Sequence, residues 1–368
     1  MIQTVSADTF YHSDAGLFYH IQDGQFFSTK WLAIDYAFNK GFSYDQVIKK
    51  LRCCLNKDIS WQYYDWTKEP VESWDKILKN RFQWYRDKYS YIALSYSGGA
   101  DSQVLLDTAL KYKIKLDEIV IYATNLDGLG KDFHDHLNWE INQVALPRLK
   151  ATNLSLIGNP VIKIWQMDKW ELLKEAYTEN YVFNHSSRTF EKYSAPLAGI
   201  TMQTKKENGV IIRGCTHPTV LYDNKLDKFY TEIWDTDNFI CGSQSSNRLS
   251  FFTSPEAPWV HAKQCHMVKN YLREHQLFSF NAARQTNYRK IFQTLCRTKV
   301  LNRKSPFFDK RHVSSLNISR KAEAFSKHMY KIYPKLFKDL LGVNNTKLHG
   351  IPLHRYPEGI LMGRFYLE

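Results

Sequence analysis

What most restricts the folding of this chain is an alternation of short apolar runs and helical patterns between residues 91 and 217. "YIALSYS" (91–97), "EIVIYATN" (118–125), "PVIKIWQ" (160–166) and "GVIIRGCTH" (209–217) are rich in apolar and β-branched residues and read as strands. Between them, residues 101–112, "FHDHLNWEINQVALPRL" (133–149) and "KWELLKEAY" (169–177) carry apolar residues at helical spacing. Strands that are apolar throughout need cover on both faces, and a helix between two strands makes them parallel. The pattern predicts an α/β fold, a parallel sheet with helices on both faces. Right-handed crossovers then line up the carboxyl ends of the strands, with their loops, along one edge.

The flanking segments follow other patterns. "YHIQDGQFFSTK" predicts a hairpin turning at Asp23-Gly24. "TKWLAIDYAFNKG" and "SYDQVIKKLRCCL" predict two helices, the first closed by Gly41 and the second opened by Ser43 or Asp45. A third helix starts after Ser73 and sets Trp74, Ile77, Leu78, Phe82 and Tyr85 on one side, as core against the sheet. "VLYDNKLDKFYTEIWD" reads as a hairpin joined at residues 224–227, and from about 256 the pattern is helical and basic. These changes divide the chain into a hairpin and helical lead-in (1–88), an α/β domain (89–250) and a basic, mostly helical C-terminal domain (251–368).

The charge follows the same division. From residue 260 onward there are 21 Lys and Arg against 6 Asp and Glu, while the preceding residues hold 29 against 31. An excess confined to one end suggests a polyanionic partner or substrate there; a solvated basic surface is the other reading. "NYRKIFQTLCRTKVLNRKSPFFDKRH" interleaves basic and aromatic residues, which suits nucleic-acid phosphates with base stacking and equally a helix basic outside and aromatic inside. No run of eighteen apolar residues occurs and "MIQTVSADTFYHSDAG" lacks the pattern of a secretory signal, so no membrane partner and a cytoplasmic location are expected. The six cysteines (53, 54, 215, 241, 265, 296) show no C-x-x-C spacing and read as reduced thiols.

The first strand of the alternation ends in Ser97-Gly98-Gly99-Ala100-Asp101-Ser102, and a helix follows at once. Adjacent glycines allow backbone angles closed to other residues and let amide N–H groups approach an anion. The helix start adds its own N–H groups and the positive end of its dipole. That combination is a phosphate cradle. Neither G-x-x-x-x-G-K-[ST] nor G-x-G-x-x-G is present.

SGGADS between a strand and a helix resembles the S-G-G-x-D-S signature of PP-loop ATP pyrophosphatases, the adenine nucleotide α-hydrolase-like (HUP-type) proteins. The resemblance implies ATP with its pyrophosphate end on this loop, adenylation of a substrate oxygen, release of pyrophosphate with Mg²⁺, and displacement of AMP by a nitrogen or sulfur nucleophile. It implies that Ser97, Gly99, Asp101 and Ser102, within the loop that Gly98 and Ala100 complete, hold the β- and γ-phosphates, with Asp101 also beside the metal. By the same resemblance the end of the second strand (Ala123, Thr124, Asn125) meets the adenine, and Arg213 and Gly214 meet the ribose or a phosphate. Asp101, Ser97 and Arg213 are then the candidate catalytic residues, ATP and Mg²⁺ the cofactors, and the acceptor is left open.

The wider layout, with "DWTKEP", "RGCTHP", "KFYTEIWD" and "SPEAPWVHAKQCHMVK" in that order, resembles bacteriophage-encoded proteins described as phosphoadenosine phosphosulfate reductase-like or asparagine synthetase-like. That implies a nucleotide-handling enzyme in the cytoplasm of an infected cell. A phosphosulfate-reductase-like activity and a non-catalytic nucleotide- or nucleic-acid-binding protein are the alternatives. The tail "GIPLHRYPEGILMGRFYLE" has no reductase cysteine, no cysteine set makes a zinc site, and position 2 is Ile2, so a glutaminase nucleophile is missing. Cys215 is a candidate lone thiol. His261 and Cys265 stand four apart on one helical face with His266 adjacent; a metal site there would need further ligands that the local spacing does not supply, and the preferred reading is a helix packing Val260, Met267, Val268 and Leu272, with Lys263 and Lys269 turned toward phosphates. His134, Asp135 and His136 follow the second strand and either border the nucleotide or start a helix with Asp near its positive end, Asn138 and Glu140 face the same region if that helix starts near 133, and Asp235 and Asp237 either bind Mg²⁺ or end a strand.

Overall fold

A computed structural model describes residues 17–21, 25–27, 30–55, 63–125, 141–168, 208–214, 218–234, 248–254, 256–276, 347–348, 351–352 and 361–368. In chain order these form β1 (Leu17–Ile21), β2 (Gln25–Phe27), α1 (Lys30–Asn39), α2 (Tyr44–Lys50), β3 (Arg52–Leu55), α3 (Trp74–Lys88), β4 (Tyr91–Ser95), α4 (Ala100–Tyr112) and β5 (Glu118–Asn125). A π-turn (Ile141–Ala145) runs into α5 (Leu146–Ala151), followed by β6 (Val161–Asp168), β7 (Gly209–Arg213), β8 (Val220–Asp223), β9 (Lys228–Trp234), β10 (Arg248–Ser250) and α6 (Pro258–Glu274). Two short strands, β11 (Lys347–Leu348) and β12 (Ile351–Pro352), precede β13 (Leu361–Tyr366).

The alternation becomes a five-stranded parallel sheet in the order β10-β7-β4-β5-β6. The chain starts at the centre with β4, steps outward through β5 to β6, then returns to the other side of β4 for β7 and β10. The loops after β4 and β7 therefore leave neighbouring strands in opposite senses. Such a reversal opens a crevice at the carboxyl edge, where ligands of doubly wound sheets bind.

One face of the sheet carries α3, α4 and α5. Leu78, Phe82 and Tyr85 of α3 and Leu105, Leu106 and Ala109 of α4 pack on Ile92, Leu94, Ile119, Ile121, Val210 and Ile212. The i, i+4, i+7 spacing of the α3 residues makes one stripe, and Ser73 starts that helix by accepting from Lys76 N–H. The alternate residues Ala93, Val120 and Ile211 form the opposite face and are 1% exposed. The expected helix at 169–177 and residues 133–140 of the second lie outside the described residues.

A second sheet, β13-β9-β8, is antiparallel. The hairpin is the expected one, closed by residues 224–227, with Asp223 Oδ1 accepting from Lys225 N–H and Leu226 N–H. The helical reading after 256 did not anticipate β13, which pairs with β9 and brings Leu367 N–H to Phe229 O at 2.9 Å. α6 lies between elements, packing Cys265, Val268 and Leu272 on Val220, Phe229 and Leu367, and Ala262 on the cluster of Tyr19, Phe27 and Ile34.

Two local readings change. α2 ends at Lys50, and Arg52–Leu55 is a strand pairing with β1 rather than a continuation of the helix. Pairing sets Cys53 opposite Tyr19, both buried, and that burial outweighs the helical pattern. The strand read as 209–217 stops at Arg213.

Arg81 joins α3 to the segment after β10. Its guanidinium is fully buried, donating to Tyr85 Oη at 2.7 Å, Ser254 Oγ at 2.7 Å and Glu256 Oε1 at 2.6 Å, against the Trp84 and Tyr85 rings. Among the described residues its Nε and Nη1 have no hydrogen-bond partner, so the counter-ion at Glu256 matters all the more. Glu256→Ala is expected to cost about 3 kcal/mol in urea unfolding, by stranding the buried charge, while the Arg81→Met/Glu256→Ala pair recovers most of it.

His266 is buried on α6, with Nε2 2.9 Å from Trp66 O. Burial holds its pKa below the ordinary value, helped by Lys269 and Lys263. The unfolded chain therefore takes the proton first as pH falls below about 6.5. Stability is expected to be full above that pH and to decline toward pH 5, with a shallower decline in His266→Gln, read from urea midpoints at pH 5 and pH 7.

A candidate nucleotide-binding site at the switch point of the sheet

β4 pairs with β5 as far as Tyr96, whose N–H donates to Val120 O at 2.9 Å. Ser97 is exposed, and the chain turns at Gly98 with φ +78°. A side chain on Gly98 would be strained, and its Cβ would lie 3.0 Å from the backbone N of Ala145 at the end of the π-turn. Gly99 is the N-cap of α4, at the ordinary angles φ −69°, ψ 163°.

Two serines knit the turn together. Ser102 Oγ donates to Gly99 O at 3.1 Å and accepts from Ser97 N–H at 3.3 Å. Ser97 Oγ accepts from Gly99 N–H at 3.3 Å and stands 3.3 Å from Ser102 Oγ. Among the described residues no side chain caps the N-terminus of α4. The N–H groups of a helix's first turn have no carbonyl within the helix, and a helix end of this kind favours negative charge.

The third glycine closes the other side. A Cβ on Gly214 would lie 2.7 Å from the carbonyl oxygen of Asp101 and 3.0 Å from Ser102 N. Glycine lets the end of β7 press against the first turn of α4. Asp101 sits in that turn, half-buried.

α4 is braced below the loop. Gln103 Oε1 accepts from Tyr96 Oη at 2.6 Å and from Arg148 Nη1 of α5 at 2.8 Å. Burial pushes the Tyr96 phenol up to about 12, against the opposing charge of Arg148, so it acts as a donor. The sequence reading missed Ala145, Gln103 and Arg148. Ala145 carries no sequence signal, since its part is to be small beside Gly98.

Ala123, Thr124 and Asn125 end β5, beyond the last rung with β4 and paired with Gln166, Met167 and Asp168 of β6. Backbone groups in a parallel strand alternate between its two neighbours. Val120 O faces β4, and Asp117 O accepts from Val161 N–H of β6. By that alternation Ala123 and Asn125 turn their backbone groups to β6, and Thr124 turns its own toward the loop after β4.

Other candidates are dispersed. Arg213 ends β7, its side chain on the Ile211 face, away from α4. Lys263 donates to Glu69 and to Pro70 O, and Lys269 to Leu367 O, so neither is turned toward phosphates as expected. His261 is buried with Nδ1 2.9 Å from Thr253 Oγ1, and burial pushes the Cys265 thiol up to about 12. Among the described residues no three His, Cys, Asp or Glu side chains gather as a metal site. Val260, Val268 and Leu272 are buried as expected for α6. Cys215, His134, Asp135, His136, Asn138, Glu140, Asp235, Asp237 and the basic stretch 277–346 lie outside the described residues. No helix among the described residues is long and apolar enough to cross a membrane.

No protein-family model matches the chain, and no curated protein matches it. Among solved structures, one match is an NH₃-dependent NAD synthetase from Campylobacter jejuni in complex with nitrate. It is 16% identical, covers 63% of this chain and 93% of that one, and has a TM-score of 0.27. At that score the likeness lends no weight to any activity.

Proposed function

We propose that the chain is an ATP-dependent adenylating enzyme of the PP-loop type. The observation that carries this reading is Gly99. Gly98 has a positive φ and Gly214 has a neighbour too close for a Cβ, so the fold itself accounts for both. Gly99 has neither reason: its angles suit any residue, and among the described residues a Cβ would meet only Ser97 Oγ, a rotatable side-chain atom, in a tight contact of 3.2 Å. At an N-cap, serine or aspartate would be worth more to the helix. Glycine there keeps the helix end open to a bulky anion.

In this reading Ser97, Gly98, Gly99, Ala100 and Ser102 hold the β- and γ-phosphates, and the β5 end beside the loop receives the adenine. The carboxylate of Asp101 fits Mg²⁺, which takes one or two carboxylates together with phosphate oxygens and water. Bound there, the ion would neutralise charge on the polyphosphate. An acceptor oxygen attacks the α-phosphorus, and the bond to the α–β bridging oxygen breaks. Pyrophosphate leaves with that electron pair, its new charge met by the loop and the helix end. The adenylylated acceptor is then attacked by an amine or thiol nucleophile, whose proton goes to solvent as AMP departs. Among the described cysteines, Cys53 and Cys265 are both buried, and neither supports a reactive thiol.

Gly99→Ser is expected to leave the thermal midpoint unchanged or slightly raised, since a serine N-cap adds a few tenths of a kcal/mol, roughly, over glycine. The same change should weaken binding of Mg·AMPPNP at least tenfold. Gly214→Ala, by contrast, should cost about 1–3 kcal/mol of stability through the clash with Asp101. Undiminished analogue binding in Gly99→Ser would remove the basis of the cradle.

With ATP, Mg²⁺ and a small-molecule cell extract as the source of acceptor, the wild type should release pyrophosphate, and Asp101→Ala should not. Orthophosphate as the product would point to attack at the γ-phosphorus and sink the adenylation reading.

A further inference from the structure

The carboxyl ends of β4, β7 and β10 set Ser95, Arg213 and Ser250 side by side in one register. Side chains alternate along a strand, so this row projects from the face of Ala93 and Ile211, on the side away from α4. Burial changes at this row along β4 and β7, while Ser250 in β10 stays buried. Ala93 and Ile211 are closed off from solvent, whereas Ser95 and Arg213, two residues further along their strands, are partly open. Gly214 follows directly and presses on the first turn of α4. A single residue thus separates a guanidinium on one face from the phosphate loop on the other.

Among the described residues, neither the Arg213 guanidinium nor the Ser95 hydroxyl has a hydrogen-bond or ion-pair partner. Glu118 shares their face, but it lies at the amino end of β5 and is held by Tyr91 Oη at 2.5 Å and Lys163 Nζ at 2.7 Å. A guanidinium drawn partly out of water costs free energy until its N–H groups are paired. Its fork matches a carboxylate or a phosphate in a two-point contact, and a neighbouring hydroxyl adds a donor.

We infer that Arg213 and Ser95 hold an anionic group, a carboxylate or a phosphate, of the acceptor that receives the adenylyl group. The inference rests on the nucleotide reading of the loop. It divides the crevice into two anion subsites on opposite faces of the sheet, the helix end for the nucleotide and the arginine for the acceptor. The division has an electrostatic advantage. Two anions crowded on one helix end would repel, whereas here each meets its own positive partner, with the end of β7 between them.

Calorimetric titrations of the full chain test it. Mg·AMPPNP is bound to saturation first; inorganic phosphate or acetate is then added in separate runs. The wild type is expected to bind one of the two beside the analogue, phosphate indicating a phosphorylated acceptor and acetate a carboxylic acid. Arg213→Met should weaken that anion at least tenfold while holding analogue affinity within threefold, which also shows the variant folded. Arg213→Lys, with charge but no fork, should fall between, and Ser95→Ala should weaken the anion less.

A tenfold loss of analogue affinity in Arg213→Met would assign Arg213 to the nucleotide and overturn the inference. Anion binding equal in Arg213→Met and wild type, or absent from the wild type, would do the same. If the analogue fails to bind the wild type, the loop reading is what fails. Phosphate titration without nucleotide then decides the arginine site alone, and equal affinities in wild type and Arg213→Met would end it.

Discussion

The approach of Gly214 to the carbonyl of Asp101 organises the carboxyl edge of the sheet. A methyl group at that position would stand 2.7 Å from the oxygen, so any other residue would push β7 and α4 apart. Because they touch, the loop after β4 is bounded by β7 on one side. On the other side Gly98 meets Ala145, at the junction of the π-turn and α5. The turn of Ser97–Gly99 is thus clamped between two backbones. The two serines, Gln103, Tyr96 and Arg148 then hold the first turn of α4 in place. The proposed adenylation draws on such rigidity, because donors already in place need no rearrangement when charge develops.

The rest of the described structure supports that edge. α3 covers the α4 face of the sheet, and Arg81 ties it to Ser254 and Glu256, just beyond the strand that flanks β7. α6 carries the connection onward, joining the β8–β9 hairpin to the N-terminal cluster. Its histidines and cysteine are consumed by packing: Trp66 O engages His266 and Thr253 engages His261. The basic residues of α6 serve in the same way, since Lys263 and Lys269 hold Glu69 and the carbonyl of Leu367.

Much of this was legible in the chain. Strands β4, β5 and β7 come from apolar runs that the sheet buries, β6 from a similar run that the sheet edge leaves exposed at Val161, Ile162 and Ile164, and the hairpin from its turn residues. The loop stood out because Ser97–Ser102 falls between a strand and a helix, where few other uses exist for two glycines. Arg52–Leu55 was misread because helical spacing continues through it, and only the partner strand, remote in sequence, reveals its pairing. β13 escaped for the same reason: its partner β9 lies more than a hundred residues earlier. Ala145 could not be found at all, since its contribution is the absence of bulk.

By itself the sequence determined local matters: the strand and helix periods, the glycine-rich turn between a strand and a helix at residues 97–102, and a charge excess confined to the last third. These depend on side-chain type and spacing between near neighbours. Only the tertiary structure decided which glycine answers to what, since Gly98 and Gly214 are explained by backbones brought from distant positions and Gly99 is not. It also decided that Thr124, rather than Ala123 or Asn125, turns its backbone toward the loop, and that Arg213 lies on the face away from α4. Strand register makes those choices. Each shift of one residue exchanges the two faces of a strand, and register is set by long-range pairing that no single segment contains.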